Sequence, residues 1–284
     1  MHPHRNDGAE LGDAYEGGRG TPLVLLHGLT GTWHIWKPVI ALLERHHRVI
    51  AVTLPGHSRG PGLPAGTEPT IASMADALIA NLRARGLESA HIAGNSIGGW
   101  LALELARRGF ARSVVALSPA GGWRTAKDYR DVSTAFRVFY FLMPLVLLLT
   151  AAFMGLPGLR RALGKQTMEH ADRIPATEFL ASLVAFVRTR VLLPLLSSMG
   201  RDGPYQPLSV PGLSIRIAWA AEDRVIPYQR YGTAMLERTP QAELVTIPGV
   251  GHVPMYDEPQ RVADCILEVT LAADRQASLP GAAA

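Results

Sequence analysis

With 284 residues, 48% of them hydrophobic and 18% charged, the chain is long and apolar enough for one α/β domain with an insertion, and disorder is excluded. The formal charge of +4 is almost wholly arginine, since Lys37, Lys127 and Lys165 are the only lysines. No basic cluster occurs, so nucleic acid is not an expected partner. The single cysteine, Cys265, excludes an internal disulfide and a cysteine-based zinc site, and no metal or other cofactor is expected.

Residues 1–20 are polar and glycine-rich, with room for at most one short strand. Residues 1–13 hold no apolar stretch of the secretory kind, so a cytoplasmic protein is the expectation. From Thr21 onward short apolar runs alternate with segments of helical period. The strand-like runs are Pro22–Leu26, Arg48–Thr53, Ala90–Gly94, Ser113–Leu117, Ser214–Trp219 and Glu243–Ile247. Between and after them, Thr70–Arg85, Ile97–Arg108, Tyr228–Arg238 and Pro259–Ala273 read as helices. Short apolar strands separated by helices predict a mostly parallel, doubly wound α/β sheet covered on both faces.

The alternation breaks once, between Gly122 and Pro204, where no strand is evident. An all-helical insertion between two strands of one sheet reads as a cap, dividing the chain into a core of 1–121 and 205–284 and a cap of 122–204. Within it Val138–Leu156 carries no charge, and as one helix it would reach about 28 Å, close to a hydrocarbon thickness. Topology argues against a stable span. The flanking strands belong to one sheet, and the only return segment, Phe179–Leu196, carries Arg188 and Arg190. The expectation is therefore cap helices turned onto the core and broken near Pro144, with at most weak contact with a membrane surface.

Four motifs carry chemistry. Gly94-Asn95-Ser96-Ile97-Gly98 falls between an apolar strand and a helix, the setting of a nucleophile elbow. The sharp turn leaves no room for side chains two positions either side of Ser96, and it presents the hydroxyl at the positive end of a helix. Leu26-His27-Gly28-Leu29 closes the first apolar strand and offers the Leu29 backbone N–H as an oxyanion donor beside that of Ile97, with His27 read as structural. Glu222-Asp223 follows a strand, where a carboxylate can fix a histidine tautomer; Asp223 is favoured over Glu222. Gly251-His252 lies in a glycine-flanked loop after the last strand, and the order Ser96, Asp223, His252 is that of a hydrolase triad.

On the strength of LVLLHGLTG, GNSIGGWLALELA, AAEDRVIP and GHVPMYDEP, the chain resembles the α/β-hydrolase superfamily from Tyr15 to the last helix. The resemblance implies attack by Ser96, proton transfer by His252, orientation of His252 by Asp223, and an oxyanion hole of Leu29 and Ile97. Thr53 stands where many members have an acid and Ser58 where a glycine is usual, so that loop is expected to pack differently. The short lead-in implies seven strands or fewer. The serine removes haloalkane dehalogenases and epoxide hydrolases, whose relatives use aspartate there. Hydrolysis of a carboxylic ester, thioester or lactone is the expected reaction. The alternatives are carbon–carbon hydrolysis of a dienoic diketone and binding of an apolar ligand without turnover. A small apolar ester-like substrate is the expected partner. Its candidate contacts are the tryptophans Trp33, Trp100 and Trp123 and the phenylalanines Phe139 and Phe153, drawn from a wider set that includes Trp36, Phe136, Phe141 and Phe186.

Overall fold

The computed structural model describes residues 13–279; the reading of residues 1–12 as a polar lead-in falls outside them. The strands are β1 (Ala14–Gly18), β2 (Pro22–Leu26), β3 (Arg48–Val52), β4 (Ala90–Asn95), β5 (Ala111–Leu117), β6 (Ile215–Ala220) and β7 (Glu243–Ile247). They form one sheet in the order β1-β3-β2-β4-β5-β6-β7. β1 runs antiparallel to β3, and every other pair is parallel. Each strand read from the apolar runs is present.

The helices are α1 (Lys37–Leu43), α2 (Ile71–Ala84), α3 (Ile97–Arg107), α4 (Ala126–Thr150), α5 (Pro157–Gly164), α6 (Ala176–Arg188), α7 (Leu192–Asp202), α8 (Tyr228–Arg238) and α9 (Pro259–Ala277). Strand residues alternate between two cores, as the two-residue period of a pleated strand requires. Val24, Leu26, Ile50 and Ile92 face α2, α3 and α8, whereas Leu23, Leu25, Val49 and Ala93 face α1 and α9. At the N-terminal end of the parallel strands a buried polar set clamps α9 to the sheet. Thr21 Oγ1 donates to Asp274 Oδ2 at 2.6 Å, His91 Nε2 meets Asp274 Oδ1 at 3.0 Å, and His47 Nε2 meets Thr270 Oγ1 at 2.8 Å.

Between β5 and β6 the chain forms α4 to α7 and no strand. α4 starts with a reciprocal cap between Thr125 and Asp128, and Arg230 Nε of α8 donates to Asp128 Oδ1 at 2.6 Å. Two expectations for this segment are corrected. α4 is not broken near Pro144 but runs through it for 25 residues. Proline removes one N–H from the ladder, and the turns on either side supply their own bonds. Nor is the apolar run wholly turned onto the core: Phe141 is 68% and Leu148 80% exposed. α6 covers only the inner side of α4, where Tyr140 and Phe186 lie 6.4 Å apart. A small separate core of Met154, Ala171, Ile174 and Phe179 joins the segment after α4 to α6.

Candidate active site

The turn from β4 to α3 puts Ser96 at φ 58° and ψ −117°, a conformation L-residues rarely adopt. Its neighbours are glycines for a steric reason. A Cβ on Gly94 would lie 2.1 Å from the Gly98 carbonyl oxygen, and one on Gly98 would lie 2.3 Å from that of Leu26. Either contact would force the elbow open. The Ser96 N–H donates to the Leu117 carbonyl at 2.9 Å, which ties the strained turn to β5.

The loop after β2 presses against this turn, since a Cβ on Gly28 would come 3.2 Å from Ser96 Cβ. His27 fixes that loop from within the core. The Leu54 N–H donates to its Nε2 at 2.9 Å, so Nδ1 carries the proton and donates to the Gly28 carbonyl at 2.7 Å. Complete burial of the ring, with His57 beside it, drives its pKa well below the histidine range, so the ring stays neutral. It is a structural peg, as expected. Thr53, at the position that departs from the family pattern, is buried and accepts from the Trp33 N–H at 3.3 Å. The N–H groups of Leu29 and Ile97 meet no acceptor among the described residues, and both residues line one cavity with Ser96.

His252 and Asp223 come together from the loops after β7 and β6. His252 Nδ1 lies 2.7 Å from Asp223 Oδ2, while Asp223 Oδ1 accepts from the N–H groups of Val225 at 2.9 Å and Ile226 at 2.8 Å. Both side chains are buried. Glu222, the competing carboxylate, is exposed. With Nδ1–H held by a carboxylate, Nε2 is the nitrogen left to accept a proton.

Two further residues organise the site, and the sequence reading gave them no role. Asn95 Nδ2 donates to the His252 carbonyl at 2.8 Å and to that of Leu117 at 3.2 Å, which anchors the histidine loop to the residue before Ser96. Asp257 is fully buried and accepts from the N–H groups of Gly251 at 2.9 Å, Glu169 at 3.0 Å and His170 at 2.7 Å. It joins the histidine loop to the insertion. An acid five residues after His252 was the available signal, but two of its three partners are backbone groups 87 and 88 positions away in the chain.

An apolar cleft opens at Ser96, walled by Trp123, by Tyr129, Val132 and Phe136 of α4, and by Leu196 and Met199 of α7. Of the substrate contacts read from sequence, Trp123 lies on it and four do not. Trp33 packs on the α1 and α9 side of the sheet, stacked on His34 at 4.1 Å. Trp100 is buried one layer behind, its ring 5.5 Å from that of Trp123. Phe139 and Phe153 project into solvent, because α4 carries the first, and the turn after α4 the second, past the rim at about 1.5 Å per helical residue.

A sequence profile of the Alpha/beta hydrolase family matches residues 23–265. Epoxide hydrolase EphH of Mycobacterium tuberculosis is 33% identical over 215 residues, covering 69% of this chain and 92% of that protein. In structure, a thermophilic esterase from Thermogutta terrifontis superposes with a TM-score of 0.68 at 20% identity, covering 92% of this chain and 93% of the esterase. The 2-hydroxy-6-oxo-6-phenylhexa-2,4-dienoate hydrolase of Rhodococcus sp. strain RHA1 does so at 0.69 and 20%, covering 92% and 94%. The strained elbow at Ser96, the carboxylate-held histidine beside it and the profile match together place this chain in the Alpha/beta hydrolase family.

Proposed function

We propose that the protein is a serine hydrolase that cleaves a carboxylic ester, thioester or lactone of an apolar substrate. The observation that carries this reading is the 2.7 Å bond between His252 and Asp223, held against the elbow of Ser96 by Asn95. His252 Nε2 takes the hydroxyl proton as Ser96 Oγ attacks the carbonyl carbon, and the imidazolium is stabilised by Asp223. The N–H groups of Leu29 and Ile97 receive the developing oxyanion, the second at the N-terminus of α3. His252 returns the proton to the leaving oxygen or sulfur, leaving an acyl group on Ser96. Water then enters and attacks the acyl carbon as it gives a proton to His252, and His252 passes that proton to Ser96 Oγ as the acyl–oxygen bond breaks and the acid leaves. The apolar walls supplied by α4 and α7 favour an apolar acyl group, and on this reading residues 122–204 form the cap of a core built from 1–121 and 205–284.

The 33% identity to a protein named epoxide hydrolase favours ring opening as a second reading. The chemistry of serine speaks against it. Attack on an epoxide carbon would leave an ether on Ser96, which has no carbonyl through which water could release it. A panel of p-nitrophenyl esters of graded chain length, assayed beside an epoxide and a dienoic diketone, tests all three reactions. Ester turnover with organophosphonate labelling of Ser96 is expected. Epoxide turnover that survives Ser96→Ala would overturn the ester reading.

A further inference from the structure

Seven large apolar side chains of α4 are exposed; six of them, Val138, Phe141, Leu142, Leu145, Leu148 and Leu149, fall within about 120° of one helix face, and Phe139 flanks it. A stripe of that width ordinarily faces a core, and a contiguous exposed apolar patch of this kind marks an interaction site. The helix is long and apolar enough to cross a bilayer, yet only a small part of its apolar stretch is buried. Its first turn is fastened to the core, and the segment that follows it is tied back to the loop of His252. Asp128 holds the first turn to Arg230, and Tyr129 donates to the Leu196 carbonyl. Past the far end, Arg160 Nη1 donates to the Met154 carbonyl at 2.6 Å, and the Val253 N–H donates to Thr167 at 2.9 Å, one residue after His252.

The charge around the stripe identifies what covers it. No acidic residue occurs between Asp131 and Glu169. Arg130 and Arg137 precede the stripe on α4, Arg161 and Lys165 follow it in the chain, and Arg188 ends α6, two residues after the Phe186 that meets Tyr140, with Arg190 just beyond; none of the six forms an ion pair among the described residues. A second copy docking by this face would set cations against cations. An anionic bilayer supplies acyl chains for the stripe and phosphates for the cations.

We propose that the outer face of α4 seats in the plane of an anionic lipid surface and that the ester reaching Ser96 is a long-chain acyl ester drawn from that surface. The second clause rests on the hydrolase reading above; the first stands without it. The same helix links the two places, since Tyr129, Val132 and Phe136 wall the cavity on its opposite side, one turn before the stripe begins. The arrangement is that of an interfacial helix with an apolar face in the acyl boundary and cations at the headgroups.

The experiment is co-sedimentation of the full chain with vesicles of phosphatidylcholine alone or mixed with phosphatidylglycerol. Wild type and Ser96→Ala should bind the mixed vesicles equally, and added salt should weaken both. A Leu145→Glu, Leu148→Glu variant should lose binding. Arg188→Gln with Arg190→Gln should weaken it roughly 25-fold, at about a fivefold loss per cation. Leu148→Glu should leave kcat/KM on a short soluble ester unchanged and lower it on a long-chain ester presented in vesicles. Vesicle binding without ester turnover would leave the docking face standing and remove the hydrolase reading. Absence of vesicle binding, equal binding to both vesicle types, or a dimer in solution dispersed by Leu148→Glu would overturn the proposal. Resistance to carbonate extraction would also overturn it, in favour of a span.

Discussion

The end of the sheet around Ser96 and the outer face of α4 are built on opposite terms. At the first, each residue answers to a neighbour inside the chain. Gly94, Gly98 and Gly251 are glycines because a Cβ would strike backbone at 2.8 Å or less, and Asp223 and Asp257 are spent on N–H groups that would otherwise be buried unpaired. At the second, Phe141, Leu145 and Leu148 turn most of their surface to solvent. Folding explains the glycines and buried acids of the first region and none of the outward residues of the second. A residue type can therefore be read as structural only where its contacts lie within the chain, and substitutions should have large effects in one region and almost none in the other.

The largest effect is expected at Ser96. Ser96→Ala should lower kcat roughly a million-fold while the unfolding midpoint stays put. Asp223→Asn should cost about four orders of magnitude, by releasing the His252 tautomer, and Glu222→Gln at most about twofold, since Glu222 is exposed. Steady-state rates on a soluble p-nitrophenyl ester decide this, and the reverse order for the two acids would move the triad to Glu222.

Asp257 comes next. Asp257→Ala leaves the N–H groups of Gly251, Glu169 and His170 without their acceptor, at about 1–3 kcal/mol for each that water does not reach. A loss of at least about 3 kcal/mol in urea unfolding is expected, with a fall in kcat because the same bond shapes the His252 loop. Loss of stability with kcat intact would limit Asp257 to the insertion.

The two regions also differ in how legible they were. The strands and the elbow follow from local rules. Apolar runs of strand length mark a buried parallel sheet, and the glycines flanking Ser96 answer a steric demand confined to five residues. The choice of Asp223 over Glu222 needed the strand end, Ala220, to fix which side chain turns inward. Asp257 was opaque because two of its three partners are backbone groups of a distant segment. α4 was misread for a deeper reason. Leu148 and Leu103 are the same residue type in equally apolar surroundings, and only the packing of α6 and the sheet decides that Leu103 is buried and Leu148 is not. Phe139 and Phe153 were taken for substrate contacts by that same confusion.

A smaller effect separates the regions through pH. His57 is buried in the β3 loop, with Nδ1 3.2 Å from the Pro55 carbonyl and no partner on Nε2 among the described residues. Burial pushes its pKa down to about 4. Between that value and the unfolded value of about 6.5, the unfolded chain binds a proton that the folded chain refuses, so stability rises with pH across this window and falls on acidification. His27 shifts in the same direction. Acidifying from neutral to about pH 5 should cost about 2 kcal/mol through His57 alone. His57→Gln should shallow that acid limb in thermal melts, and an unchanged limb would assign it elsewhere.

The smallest effect belongs to α4, and it is the sharpest test of the contrast. Leu103→Ala removes a side chain buried to 0% exposure and should cost about 2–5 kcal/mol, the transfer term plus the cavity left behind. Leu148→Ala removes the same atoms from a site 80% exposed, where little apolar area leaves water on folding. Alanine is the better helix former, so backbone propensity offsets what packing is lost. The net change in urea unfolding should lie within about 0.5 kcal/mol of zero, with turnover of a soluble ester unchanged. A cost above about 1 kcal/mol, measured without lipid or detergent, would mean that Leu148 is packed against protein in solution. The outer face of α4 would then be an ordinary interface, and the two regions would no longer differ in kind.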